Sequence, residues 1–132
     1  MYLIDSDTLI ALGRGKTFIQ DRINRCGINN CVLSEISLAE LYVGVYTIRS
    51  SKEELFLQFL ENSFKIIPIS PAIKTFARLR AQLESSGFIL DKMDLFIAAT
   101  ALVNDYTLVT HNTRHFSRIP GLKLEDWIEE QG

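Results

Sequence analysis

The chain is poor in the residues that mark several protein classes. Of its 132 residues only 2 are cysteine, 7 glycine and 3 proline, which excludes a disulfide scaffold, a collagen-like repeat and a low-complexity chain. Cys26 and Cys31 form no Cys-x-x-Cys pair and have no histidine at zinc-finger spacing, so we expect reduced structural thiols. These absences leave one globular domain over residues 1–132 as the expected organisation.

Long apolar runs and an excess of positive charge are missing as well. The longest apolar stretch, residues 95–103, is half the length of a membrane span, and Asp5 and Asp7 interrupt the early apolar run that a secretion signal would need. Fourteen Lys and Arg stand against 16 Asp and Glu, a formal charge of −2. We therefore expect a cytoplasmic protein without membrane attachment, in which any nucleic-acid role comes from a local site rather than from bulk charge.

Short apolar runs alternate with helical patterns along the chain. Strands are predicted at residues 2–4, 31–33, 65–69, 107–109 and 122–124, and helices at 17–25, 37–46, 52–60, 71–85 and 92–103, with a further short helix after Thr8. Strands separated by helical crossovers predict an α/β fold, a three-layer α/β/α sandwich around a central parallel sheet of four to five strands. Ligands bind at the carboxyl ends of such strands, here just after residues 4, 33 and 109.

Three acidic residues lie near these strand ends. Asp5 follows the first strand, Glu40 lies on the helix after the second, and Asp94 opens a helix that is apolar nearly all round. Like charges brought together raise one another's pKa unless a cation intervenes. Carboxylate-rich sites suit Mg²⁺ or Mn²⁺ rather than zinc, and such an ion activates water and stabilises charge on a phosphoryl oxygen.

Helix capping is the structural alternative for each of these acids. Asp5 or Asp7 could cap the helix that follows them, and Asp7 is interpreted chiefly in this way. Ser37 and Glu40 have the spacing of a capping box. Asp91 could cap its helix and leave Asp94 in the first turn, where the helix dipole favours an anion.

Four segments in order carry a recognisable pattern: residues 2–10 (YLIDSDTLI), 37–41 (SLAEL), 94–99 (DLFIAA) and 108–116 (LVTHNTRHF). Together they resemble the PIN-domain nucleases and, more narrowly, the VapC-type toxins of toxin–antitoxin pairs. The likeness extends over the whole chain and includes its end at residues 119–127. Each motif is loose by itself, but four in this order at this length are specific.

The resemblance implies an endoribonuclease that depends on Mg²⁺ or Mn²⁺ and leaves 5′-phosphate and 3′-hydroxyl ends. It places the catalytic and metal-binding acids at Asp5, Glu40 and Asp94. It also implies an RNA substrate, a homodimer, and a cognate antitoxin protein whose C-terminal segment covers the acidic site. A groove for a partner helix is expected beside Leu41, Tyr42, Val45 and Tyr46 and beside residues 55–60, where apolar residues exceed what one core face needs.

The chain departs from the family pattern at the fourth acidic position. Many relatives place an aspartate at or near the positions of Asn112 or His115, and here neither residue is acidic. We expect Asn112 to join the catalytic residues through a hydrogen bond or its carbonyl oxygen, and His115 to assist proton transfer or contact RNA. The lost charge puts a second metal ion in doubt more than the first.

Further residues around the strand ends are candidates for binding substrate. Thr8 and Thr110 lie at two strand ends and could orient water or phosphate. Arg14 belongs to a basic cluster around the first loop, and Arg114 to one after the fourth strand. Phosphate contacts of this kind make binding fall with salt and confer no base preference.

Two other functions fit parts of the sequence. A catalytically silent PIN-like module that binds RNA or protein would keep the fold without the fourth acid. Residues 3–9 also fit the Asp-x-Asp-x-Thr start of haloacid-dehalogenase-like phosphatases, in which Asp5 would be the nucleophile. Against the phosphatase, Asp91 and Asp94 open a buried helix rather than a glycine-rich loop, and the chain is short for that fold with its cap.

Overall fold

Five parallel strands form one sheet at the centre of the molecule. The computed structural model describes residues 1–129, so the last three residues of the predicted domain lie outside the described part. The strands are β1 (Tyr2–Ile4), β2 (Cys31–Ser34), β3 (Lys65–Ile67), β4 (Thr107–Val109) and β5 (Lys123–Glu125). Their order is β3-β2-β1-β4-β5 and every neighbouring pair is parallel, which confirms the predicted parallel sheet with five strands.

Seven helices connect and cover these strands within the described residues. They are α1 (Ser6–Gly13), α2 (Thr17–Cys26), α3 (Glu35–Ile48), α4 (Ser51–Ser63), α5 (Ile73–Ser85), α6 (Lys92–Asn104) and α7 (Thr113–Phe116), with 3-10 turns at Ile28–Asn30 and Ser70–Ala72. None of the helices in the described part of the chain is long and apolar enough to cross a membrane.

Alternate residues of the strands pack into two separate hydrophobic cores. Leu3, Val32 and Leu108 pack with α5, α6 and α7, whereas their chain neighbours Ile4 and Leu33 pack with α1 to α4. Since successive side chains of a strand point to opposite faces, a sheet with helices on both sides needs both faces apolar. The predicted three-layer α/β/α sandwich is confirmed.

Two helix starts differ from the prediction because strand-end residues cap the helices directly. Asp5 is the N-cap of α1 and accepts a hydrogen bond from the Ser6 amide (2.8 Å), so this helix starts before Thr8 rather than after it. Ser34, at the end of β2, accepts from the Ile36 amide (3.0 Å), so α3 begins at Glu35. The capping box that Ser37 and Glu40 offered as the structural alternative is therefore not formed.

Other boundaries follow from proline and from short-range turns. The strand predicted over residues 65–69 ends at Ile67, before Pro68, which lacks the amide hydrogen of a ladder residue. Pro71 lies in the 3-10 turn, and α5 starts only at Ile73. β5 begins one residue later than predicted, and α7 was not predicted at all, since four residues are too few for a periodic signal.

The strand order places the site at the junction of β1 and β4. The chain builds β1, β2 and β3 outward on one side of the sheet and then crosses back to add β4 and β5 on the other. Helices that leave β1 and β4 therefore lie on opposite faces, and a crevice opens between the ends of these two strands. The Asp5 amide donates to the Val109 carbonyl (2.8 Å) at this junction.

Candidate active site

Thr110 ties together the ends of β1 and β4. Its hydroxyl donates to Asp5 Oδ2 (2.9 Å) and lies 3.3 Å from Asp7 Oδ2, and the same oxygen accepts from the Asn112 amide (3.1 Å). The His111 amide donates to Asp7 Oδ2 (3.0 Å). Two carboxylates that are distant from β4 in sequence are thus held at its end in a fixed orientation.

Asp5 is a buried acid in this arrangement, with 6% of its surface exposed. Burial, the nearby Asp7 carboxylate and, to a smaller extent, Asp94 raise the pKa of Asp5 to about 7, against the opposing effect of the hydrogen bonds from Ser6 and Thr110. A carboxyl group with such a pKa is half protonated near neutral pH. Any cation that binds beside it would favour the charged form.

Asp94 and Glu40 extend the acidic cluster from α6 and α3. Burial and then Asp91 raise the pKa of Asp94, while His115 lowers it. Burial and then Asp94 raise the pKa of Glu40. Asp91 is the N-cap of α6 and accepts from the Met93 amide (3.1 Å), so Asp94 lies in the first turn without being the cap.

The cluster therefore concentrates negative charge at one edge of the sheet. Asp5, Glu40 and Asp94, together with Asp7, come from three different elements and act on one another electrostatically. Carboxylates that are half-buried and mutually repulsive are stabilised by a hard divalent cation with oxygen ligands. The donor set fits such an ion.

The short helix α7 brings two more predicted residues to the edge of this cluster. His115 Nε2 lies 3.7 Å from Asp94 Oδ2, and both side chains are about one-third exposed or less, at 35% and 27%. Asn112 occupies the N-cap position of α7 and is exposed, and its side chain makes no capping hydrogen bond to the described residues. Of these two, His115 is the one that contacts the acidic cluster through its side chain.

A second group of metal-ligand type lies beside the first. One ligand atom from each of His111, Asp126 and Glu129 can be chosen so that all lie within 4.8 Å of one another. Asp126 already accepts hydrogen bonds from the Ile128 and Glu129 amides (both 3.0 Å), and its other oxygen is 2.9 Å from His111 Nδ1. Its contacts give this group a structural role in closing the turn after β5.

A groove of about 470 Å³ runs between α1, α3 and α4, and Glu40 is one of the residues that line it. Its walls are formed by Ile10, Gly13, Arg14, Glu40, Leu41, Gly44, Val45, Ile48, Ser50, Lys52, Glu53, Phe56 and Leu57. The predicted groove is therefore present on the expected pair of helices, with α1 as an additional wall. A Cβ atom on Gly13 would approach the Phe56 ring to 2.7 Å, so glycine permits the close contact of α1 with α4.

The sequence model of the PIN domain matches residues 2–122 of this chain. The chain belongs to the PIN domain family. Within the family, this PIN-domain protein groups with the VapC proteins: it is 34% identical to Ribonuclease VapC2 of Rickettsia felis, over 96% of this chain and 98% of that protein. It is also 31% identical to the tRNA(fMet)-specific endonuclease VapC of Salmonella typhimurium, over 96% and 97% of the two chains.

Solved structures agree with this assignment. The fold matches the crystal structure of VapBC2 from Rickettsia felis bound to a DNA fragment from their promoter, with a TM-score of 0.85 and 30% identity over 96% of this chain and 98% of that one. PIN-domain nucleases generally depend on a divalent metal ion. The PIN-domain protein described here carries carboxylate groups that are chemically able to hold one.

The structure places the predicted substrate-binding residues of this PIN-domain protein differently from the expectation. Thr8 and Thr110 are fully buried, and their hydroxyl groups donate to the Asp7 and Asp5 carboxylates, so they orient acids and cannot contact a bulky RNA. Arg14 caps the far end of α1, about 13 Å of helix rise from Asp5, and lines the groove. Arg114 is exposed on α7.

Asp7 is the residue that sequence reasoning undervalued. It lies in the first turn of α1 and does not cap the helix, because Asp5 does. Its carboxylate instead accepts from the His111 amide and faces Thr110 at the end of β4. The available signal was the Asp-x-Asp spacing directly after a buried strand, which puts both acids at the same edge of the sheet.

Proposed function

We propose that this PIN-domain protein is a metal-dependent endoribonuclease that acts as the toxin of a toxin–antitoxin pair in the cytoplasm. The observation that carries the proposal is the cluster of Asp5, Glu40 and Asp94 at the β1–β4 junction, in a chain whose relatives are ribonucleases over nearly their full length. The substrate is RNA, cut by hydrolysis of a phosphodiester bond to leave 5′-phosphate and 3′-hydroxyl ends.

Asp5, Glu40 and Asp94 would hold the divalent cation, Mg²⁺ or Mn²⁺, through their carboxylate oxygens. Such an ion, when bound, favours deprotonation of water and stabilises the negative charge that develops on a phosphoryl oxygen. Thr110 orients the Asp5 carboxylate by its hydrogen bond, and Asp7 adds negative charge beside it. Asn112 and Arg114 are exposed on and beside α7, and we expect them to contact the RNA backbone.

The phosphatase alternative does not fit the family. The PIN domain assignment covers residues 2–122, and Asp5 is held by the Ser6 amide and the Thr110 hydroxyl inside an acidic cluster, where repulsion opposes its attack on a phosphate. A catalytically silent module keeps the same fold, and the cleavage experiment separates it from the nuclease.

The test is cleavage of total cellular RNA with mapping of the new 5′ ends. We expect discrete cuts bearing 5′-phosphates in the presence of Mn²⁺ or Mg²⁺, and none with EDTA or with Glu40→Gln. Glu35→Gln is the matched control on the same helix, because Glu35 is exposed and accepts from the Ile69 amide (2.6 Å), which glutamine can still do. Metal-independent cuts would reject the metal-dependent mechanism, and no cuts by the wild-type protein would reject the nuclease in favour of a silent module.

The antitoxin is proposed to lie in the groove between α1, α3 and α4. Apolar side chains form much of the groove wall, and Glu40 belongs both to this wall and to the acidic cluster. A segment with an apolar face and a basic side chain at its tip would fill the groove and neutralise the carboxylates. Bound in this way, the antitoxin would cover the acidic site and exclude RNA.

Replacement of Gly44 tests this docking site without disturbing the cluster. Gly44 lies within α3 and lines the groove, and a Cβ atom added there meets no heavy atom within 4 Å outside the helix's own backbone. We expect Gly44→Phe to weaken antitoxin binding by about tenfold or more, equivalent to about 1.4 kcal/mol, while RNA cleavage is retained. Calorimetry with the cognate antitoxin measures the affinity.

Gly44→Ala serves as the control for Gly44→Phe. It adds one methyl group, improves the helix propensity of α3 by up to about 1 kcal/mol, and leaves most of the groove open. Unchanged antitoxin affinity in Gly44→Phe would place the antitoxin elsewhere on the surface.

We also propose a homodimer. Apolar side chains remain exposed outside the groove at Ile73, Ile89 and Met93, with 50%, 84% and 42% of their surfaces accessible. Burial of these exposed apolar side chains against a second copy is favourable. Light scattering of the purified protein reports the mass, and the mass of one chain would reject the dimer.

A further inference from the structure

The acidic cluster has a nitrogen donor on its open side. His115 Nε2 and Asp94 Oδ2 are 3.7 Å apart, although the two residues are 21 positions apart in the chain, with β4 between them. The side chain that faces Asp94 here is an imidazole and not another carboxylate.

The distance between the two atoms is that of a long ion pair and also allows a shared ligand. At 3.7 Å the pair is beyond hydrogen-bonding range. Two ligands about 2.1 Å from one metal ion are separated by about 3 Å when adjacent and about 4 Å when opposite. The observed separation falls inside that range, so one cation can contact both atoms without a large movement of either side chain.

The imidazole ring is held in place by aromatic neighbours. It packs edge-on against Phe88 and Phe116, with ring centroids 6.2 and 6.1 Å away. Phe116 is fully buried and anchors α7 in the core, and the Arg118 guanidinium covers Phe88 at 4.4 Å from its centroid. A ring whose orientation is set by packing presents Nε2 to the cluster at little cost in entropy.

We propose that His115 is a ligand of the metal ion held by Asp5, Glu40 and Asp94, and that it makes the site select Mn²⁺ or a similar transition-metal ion over Mg²⁺. Transition-metal ions accept imidazole nitrogen, whereas Mg²⁺ takes oxygen ligands and water. The inference rests on the proposed function, because it assumes that the three carboxylates bind the cation. It differs from a role for His115 in RNA contact or proton transfer.

Electron spin-echo spectroscopy of bound Mn²⁺ tests the ligand directly, without RNA. A coordinated imidazole imposes a ¹⁴N modulation on the Mn²⁺ signal, and the chain contains only 2 histidines, His111 and His115. We expect the modulation in the wild-type protein and in His111→Gln, and its loss in His115→Gln. Loss in His111→Gln with retention in His115→Gln would overturn the proposal and place the ion at the group of His111, Asp126 and Glu129.

Calorimetric titrations with Mn²⁺ and Mg²⁺ give the second readout. Removing a partner of a metal ligand already costs about 10- to 100-fold in affinity, so we expect His115→Gln to lose at least about tenfold for Mn²⁺ and much less for Mg²⁺. His115→Glu restores an all-oxygen donor set and should bind Mg²⁺ more tightly than the wild-type protein. Equal losses for both ions, or none for either, would contradict the proposed selectivity.

Asp94→Asn separates failure of this inference from failure of the proposed function. If Asp94→Asn abolishes Mn²⁺ binding while His115→Gln changes neither the affinity nor the ¹⁴N modulation, the carboxylate site stands and the role of His115 is refuted. If Asp94→Asn binds Mn²⁺ as the wild-type protein does, the carboxylate site itself is wrong and the inference fails with it.

Discussion

Asp94→Asn is expected to lower the rate of RNA cleavage by about a hundredfold or more while the protein remains folded. The substitution keeps the shape of the side chain and removes one of three charges directed at the cation. Burial and the neighbouring Asp91 charge already raise the pKa of Asp94, so its ionised form is held in the folded protein at a cost. Loss of the Asp94 charge should therefore lower the cleavage rate without a large loss of folding stability.

The stability of this variant distinguishes catalysis from capping. The dipole of α6 favours an anion in its first turn by about 0.3–1 kcal/mol, which is the most that a purely structural Asp94 would contribute through the dipole. We expect the midpoint of thermal unfolding to stay within a few degrees of the wild-type value or to rise. Circular dichroism and a cleavage time course on the same sample measure both properties.

Asp91→Asn is the matched control for Asp94→Asn. Asp91 caps α6 by accepting from the Met93 amide, and asparagine is an equally good N-cap. This variant should retain cleavage, because Asp91 is exposed at the start of the helix and is not one of the proposed ligands. Unfolding of Asp94→Asn, or wild-type cleavage by it, would refute the metal role assigned to Asp94.

Asp5→Asn is expected to change the pH dependence of stability in the metal-free protein. The pKa of Asp5 is raised to about 7 from an ordinary value of 3.8, chiefly by burial. A group whose pKa is higher in the folded state binds its proton more tightly there, so it contributes stability that is fully present below pH 4 and is lost as the pH rises through about 7. The wild-type protein should therefore lose this contribution between about pH 4 and 7.

Asparagine does not titrate, so Asp5→Asn does not lose this contribution to stability as the pH rises. Its Oδ1 can still cap α1, and its amide nitrogen can donate to the Thr110 oxygen while that hydroxyl donates to Asp7 Oδ2. The difference in unfolding midpoint, Asp5→Asn minus wild type, should thus increase steadily from pH 4 to pH 8. A tenfold difference in proton affinity between the folded and unfolded chain corresponds to about 1.4 kcal/mol, which is easily measured by denaturant titration.

The same measurement of stability against pH is repeated with a divalent cation present. Mn²⁺ should stabilise the wild-type protein more at pH 8 than at pH 5, since it binds the ionised carboxylates, and should have little effect on Asp5→Asn. Asp21→Asn, on the exposed surface of α2, is the control and should follow the wild-type profile. Parallel profiles for Asp5→Asn and the wild-type protein would mean that the Asp5 carboxyl group does not titrate in this range.

The sequence by itself determined the order and type of most elements. Apolar runs of three or four residues and helical periodicity are local signals, and all five strands and the helices longer than four residues lie within a few residues of their predicted positions. The same patterns placed Asp5, Glu40 and Asp94 near strand ends or helix starts. The errors at α1 and α3 arose where a strand-end side chain caps the next helix with no intervening loop.

Only the tertiary structure decided which of these residues meet. Strand order depends on packing between distant parts of the chain, and it sets β1 beside β4, so that Thr110 bonds Asp5 across 105 positions. The approach of His115 to Asp94 requires α7, whose four residues carry no periodic signal, to be anchored by a buried Phe116. A local pattern indicates which face of one helix or strand is apolar. Which faces meet to form this site depends on packing between distant parts of the chain.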